Sequence, residues 1–144
     1  MPRCYLLTVC AGSSLDQHSN NVTLFNLVEQ VNVPPGAPPP PGGIIPLEVH
    51  AYFELAPEEY STPFEVRFAL VADTGLETFS DVFAHKSVTL RYRTRTLGVP
   101  FPPVVGQYHL CLDCRLGGTT NWSRQAISWP IAIVEIEQRP IVTH

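Results

Sequence analysis

The sequence predicts an all-β protein, an antiparallel β-sandwich of about seven strands, on three observations. Several stretches alternate apolar and polar residues with a period of two, and turn chemistry recurs roughly every 8–12 residues. The 144 residues also include 15 prolines and 9 glycines against a single methionine, which excludes long uninterrupted helices. Hydrophobic residues make up 44% and charged residues 15%, too apolar for intrinsic disorder and sufficient for one core. A single domain is expected over residues 1–144, with a proline-rich loop at 34–46 inside it.

The first strand is expected at residues 4–11 and the second at 22–31, whose β-branched and apolar residues also fit a short helix. Between the second and third strands, Pro34-Pro35-Gly36-Ala37-Pro38-Pro39-Pro40-Pro41-Gly42-Gly43 cannot supply ladder N–H groups and favours extended polyproline backbone. In the third strand Leu47, Val49, Ala51, Phe53 and Leu55 point inward, leaving Glu48, His50, Tyr52 and Glu54 on a wet face. After the breaker Ala56-Pro57-Glu58-Glu59, the fourth strand turns Phe64, Val66, Phe68 and Leu70 inward and ends at Asp73-Thr74-Gly75.

The fifth strand, His85 to Leu97, sets Val88, Leu90 and Tyr92 against a basic face of Arg91, Arg93 and Arg95. The sixth, Gly106 to Cys114, follows Gly98-Val99-Pro100-Phe101-Pro102-Pro103. Its alternation puts Tyr108, Leu110, Leu112 and Cys114 on one face and His109, Cys111 and Asp113 on the other, so Cys111 and Cys114 diverge. The seventh spans 126–137, where Pro130 implies an edge or a bulge.

Gly106-Gln107-Tyr108 after a proline-marked turn resembles the tyrosine corner of immunoglobulin-like sandwiches, although Leu110 stands where an antibody-type domain has its second disulfide cysteine. Over most of its length the chain also resembles a group of short bacterial and phage β-sandwich proteins of unknown function. The residues that carry this are the N-terminal strand with Asp16 and a polar turn, Val22-Thr23-Leu24-Phe25-Asn26-Leu27, the proline-rich connection, and Gly106-Gln107-Tyr108 with Leu110 and Leu112. The resemblance implies an Ig-like fold and does not extend to an activity.

The formal net charge of -4 argues against a general attraction to nucleic acid or anionic membrane. No apolar run approaches the ~20 residues that span a bilayer. The N-terminal Tyr5-Leu6-Leu7-Thr8-Val9-Cys10-Ala11 reads as a strand, since a core of about seven residues is at the bottom of the range for a secretory leader. The four cysteines then read as reduced, buried thiols of a cytoplasmic protein, and the glycosylation patterns at Asn21 and Asn121 are discounted.

Among chemical candidates, His109, Cys111 and Asp113 project from one strand face and could offer ligands to zinc or copper if another strand supplied a fourth. A Cys-x-x-Cys redox pair is disfavoured, for want of a βαβ pattern. A nucleophile elbow and a phosphate-cradling glycine loop are absent, and Ser13, Ser14, Asp16 and His18 read as turn residues. The Arg91, Arg93 and Arg95 row binds an acidic partner, a phosphate backbone or the carboxylates of a neighbouring strand such as Glu65 or Glu54. Pro38, Pro39, Pro40 and Pro41 form a strap available for interaction, and Tyr52, Tyr92, Trp122 and Trp129 are candidates for a carbohydrate platform. The expectation is a non-enzymatic structural or protein-interaction module, without cofactor, nucleic acid or membrane, engaging a protein partner or a second copy. The alternative is a small metal- or ligand-binding sandwich.

Overall fold

The computed structural model describes residues 1–36 and 43–136. Within them lie β1 (Arg3–Leu15), β2 (Val22–Leu27), β3 (Gln30–Val33), β4 (Ile44–Glu54), β5 (Phe64–Ala72), β6 (Glu77–Phe79), β7 (Phe83–His85), β8 (Arg91–Pro100), β9 (Gly106–Leu116) and β10 (Ser123–Glu135). One sheet has the order β2-β1-β4-β8, the other β3-β10-β9-β5-β6, with β7 also on β5. Every pairing is antiparallel except β3 with β10. The β-sandwich is therefore as expected, with ten strands rather than seven.

Strict alternation builds the core. Leu7 and Val9 of β1 with Val49, Ala51 and Phe53 of β4 face Phe64, Val66, Phe68 and Leu70 of β5, Leu110 and Leu112 of β9, and Ile131 and Ile133 of β10. All are buried, and Phe53 meets Phe64 edge-on across the sheets with ring centroids 5.6 Å apart. The Cys4 N–H donates to Gln125 Oε1 at 2.9 Å, tying β1 to β10.

Three additional strands arise for local reasons. The expected second strand divides because Asn26 takes a left-handed conformation (φ 53) and Val28 becomes a crossing point between sheets. Its N–H donates to Val9 O in one sheet, while its carbonyl accepts Trp129 Nε1–H from the other. The expected fifth strand divides as well, because Ser87 Oγ accepts the Thr89 N–H and draws the backbone out of the ladder, leaving Val88 and Leu90 exposed. β6 had no readable pattern, being three residues long.

β8 then continues beyond Leu97 to Pro100, a proline tolerated because this strand is a sheet edge. Gly98 is required within it: φ is 122°, and an added Cβ would meet Ile44 at 3.0 Å. Residues 44–46 of the expected proline loop belong to β4, where a register shift between Ile45 and Glu48 accommodates Pro46. Pro38, Pro39, Pro40 and Pro41 lie outside the described residues. Pro130 is explained by register: the Ala132 N–H bonds Glu29 O, so the nitrogen of Pro130 turns to the same side, just before β3 joins.

The tyrosine corner is present, with the Tyr108 hydroxyl donating to Val104 O. β1 and β4 form the middle of one sheet and β10, β9 and β5 the middle of the other. All four cysteines are free and buried, with Cys114 in the core. Truncating Phe53 to Ala is expected to cost about 3–5 kcal/mol in chemical denaturation. Tyr108→Phe, which removes one hydrogen bond, is expected to cost about 1 kcal/mol in the same measurement.

Candidate functional site

The outer face of the β2-β1-β4-β8 sheet is where chemistry-bearing residues gather. Register places Thr8 opposite His50 and Cys10 opposite Glu48, while β8 sets Arg95 opposite His50 and Arg93 opposite Tyr52. The expected wet face is only partly wet, since Glu48 is 6% exposed and His50 3%. Thr8 and Cys10 beside them are buried too.

Burying a carboxylate requires compensation, and Glu48 receives it from three strands. Its Oε1 accepts Ser13 Oγ–H at 2.7 Å, His50 Nε2–H at 2.9 Å and Arg95 Nε–H at 2.9 Å, while Oε2 accepts Arg95 Nη2–H at 2.9 Å. The Arg95 fork first of all, then the Ser13 hydroxyl, lowers the Glu48 pKa from 4.5 to about 2. An ionised carboxylate only accepts, so His50 carries a proton on Nε2. The Thr8 hydroxyl, buried beside this cluster, has no hydrogen-bond partner among the described residues.

Ligand atoms of Cys10, Glu48 and His50 lie within 4.8 Å of one another, the only such group of three among the described residues. Their present bonding does not suit a metal or a nucleophile. Glu48 is spent on Arg95, Ser13 and His50, and a guanidinium on the carboxylate opposes a cation. The Cys10 thiol donates to Gly12 O at 3.3 Å, and burial, then the Glu48 charge, raises its pKa. A thiol kept protonated and fully buried is a poor attacking group.

Beside the cluster opens a cleft of about 250 Å³, between the β1–β2 hairpin residues Ser13, Ser14 and Leu15 and the sheet residues His50, Tyr52, Arg93 and Arg95. The Arg93 guanidinium lies 5.8 Å from the Tyr52 ring centroid and has no ion pair among the described residues. The Arg95 side chain is 59% exposed despite its Glu48 contact.

The carboxylates expected to pair the arginine row are engaged elsewhere, Glu54 by Arg3 and Glu65 by Arg115; Arg95 takes Glu48 instead. His109, Cys111 and Asp113 do share the outer face of the second sheet, with His109 exposed and Cys111 and Asp113 buried. Among the described residues their ligand atoms do not converge: Asp113 accepts from Arg67 Nε at 3.0 Å and Arg124 Nε at 2.9 Å, and the Cys111 thiol donates to His109 O at 3.8 Å. Of the aromatic candidates, Trp122 is covered by Arg67 and Arg115, Trp129 donates to Val28 O, and Tyr92 hydrogen-bonds His85. Tyr52 alone of the four lines the cleft beside the cluster. Compared with protein-family models and with curated proteins, the chain matches none.

Glu48 has a lower pKa folded than unfolded, so its contribution is fully present above pH 4.5 and is lost as the pH falls towards about 2. Denaturant titrations across that window should show wild type losing more stability than Glu48→Gln, narrowing the gap between them. Elemental analysis of untagged protein is expected to find no stoichiometric zinc, copper or iron. One equivalent of any of them would overturn the ion-pair reading of Glu48.

Proposed function

We propose that this protein is a non-enzymatic protein-interaction module that receives an acidic segment of a partner in the cleft on the outer face of the β2-β1-β4-β8 sheet. The observation that carries the reading is Arg93, a cleft cation with no carboxylate of its own among the described residues. A carboxylate arriving there gains a charge-assisted hydrogen bond, with the Tyr52 ring holding the guanidinium in place. Arg95 adds a second cationic donor, since Glu48 occupies its Nε and Nη2 and leaves Nη1 for a ligand. Ser14 supplies an exposed hydroxyl on the opposite wall.

Support for a binding role without catalysis comes from the same cluster, whose thiol is buried and protonated and whose carboxylate is saturated. A phosphate backbone is a poorer ligand than an acidic peptide, because an overall charge of -4 opposes the long polyanion while one cleft contacts a short segment. Four free thiols favour a reducing compartment, hence the cytoplasm. Among the described residues no helix is long and apolar enough to cross a membrane.

Calorimetric titration with a hexaglutamate peptide at low ionic strength tests this. Wild type should bind, and Arg93→Ala should bind about tenfold more weakly, the loss of one charge-assisted hydrogen bond. His109→Ala, on the outer face of the other sheet, should bind as wild type does. Equal affinity of the Arg93 variant, or no binding to wild type, would overturn the proposal.

A further inference from the structure

The cleft has two unlike walls. Arg93 and Arg95 belong to the sheet side, whereas the hairpin side contributes Leu15 and Val22, which stand directly opposite each other where β1 passes into β2. Leu15 is 54% exposed and Val22 is half-buried. The turn that joins them, Asp16-Gln17-His18-Ser19-Asn20-Asn21, is polar throughout and exposed. Apolar surface in this hairpin end is therefore confined to its base, where it borders the cleft.

The two guanidiniums by themselves suit any small anion. An anion that is hydrophilic all round pairs with Arg93 and leaves Leu15 and Val22 in water. A ligand with an apolar group beside its acid covers both in the same step and gains from their burial. From this pairing of walls we infer that the acidic segment taken up by the cleft carries a large apolar residue within two positions of its acid, with the carboxylate on Arg93 and the apolar side chain against Leu15 and Val22. The inference rests on the acidic-segment reading and specifies the partner's sequence.

Size agrees with this division of labour. At about 250 Å³ the cleft is smaller than the ~300–1,000 Å³ usual for a small-molecule site, so it admits a pair of side chains from a short segment. Tyr52, which lines the same space and holds its ring centroid 5.8 Å from the Arg93 guanidinium, offers aromatic surface to the apolar side chain as well. Inorganic phosphate and plain polyglutamate have no group for the hairpin wall.

Calorimetric titration of the full chain at low ionic strength with two end-blocked pentapeptides is the test. Each carries four glutamates, and the central residue is phenylalanine in one and serine in the other. The phenylalanine peptide should bind about tenfold more tightly. Leu15→Ser, at a position already half exposed, should bring the two affinities to within about twofold of each other while the serine peptide binds as it does to wild type, and the circular dichroism spectrum should not change. Val22→Thr keeps the β-branched shape and gives an independent variant that should narrow the same ratio. Failure of wild type to bind either peptide overturns the acidic-segment reading and this inference with it. Equal affinity for the two peptides, or a preference that survives both hairpin variants, overturns this inference alone. Octanoate bound as tightly as the phenylalanine peptide also overturns it, by assigning the cleft to a fatty acid.

Discussion

The Glu48 carboxylate is the constraint on which the outer face of the β2-β1-β4-β8 sheet depends. An ionised group at 6% exposure is tolerable only with its acceptor sites filled, and the donors come from β1 (Ser13), β4 (His50) and β8 (Arg95). One residue thus pins three strands together on the side away from the hydrophobic core. It also fixes the proton of His50 on Nε2 and aims the Arg95 fork along the sheet. The apolar core sets which strands are neighbours, and Glu48 sets what their outer side chains present to the cleft.

The outer face of the other sheet follows the same electrostatic rule to a different end. Asp113 is buried and takes two arginines, Arg67 and Arg124, and Arg124 reaches on to Glu77. Arg67 also sits between the Phe79 ring at 4.1 Å and the Trp122 ring at 4.5 Å, and Arg115 covers Trp122 from 4.1 Å while pairing with Glu65. Here the arginines have carboxylate partners and their flat faces are stacked on aromatic rings. That network closes on itself. The cleft side, by contrast, keeps Arg93 without a carboxylate among the described residues, and this difference directs the functional reading to one face of the sandwich.

Much of the fold was legible because alternation reports burial directly. Phe64, Val66, Phe68 and Leu70, and likewise Tyr108, Leu110, Leu112 and Cys114, are inward as their spacing says. The tyrosine corner was legible for a related reason, a tyrosine placed just after a proline-marked turn. What alternation does not carry is register between strands distant in sequence. Glu48 and His50 read as solvent-facing because nothing local shows that Ser13 and Arg95 lie across from them, 35 and 47 residues from Glu48. One signal was present in the first strand, where Leu7, Thr8, Val9 and Cys10 are uncharged in succession. Such a run marks a strand covered on both faces, and all four are buried. The sheet switch at Val28 was hidden for the opposite reason: a continuous β-prone run from Val22 to Val31 gives no sign that its two halves pair with different sheets.

The two edges of the β2-β1-β4-β8 sheet have opposite characters. β2 is neutral and apolar, β8 basic and broken by glycine and proline. A single arginine contact to a carboxylate is weak in water, because desolvation and side-chain ordering offset most of the Coulomb gain. Arg93 and Arg95 line one cleft, so a segment with two carboxylates engages them as a linked pair, the second contact proceeding at the effective concentration set by the first. Weak contacts at neighbouring arginines therefore reinforce each other, provided the carboxylates of the segment match the spacing of Arg93 and Arg95.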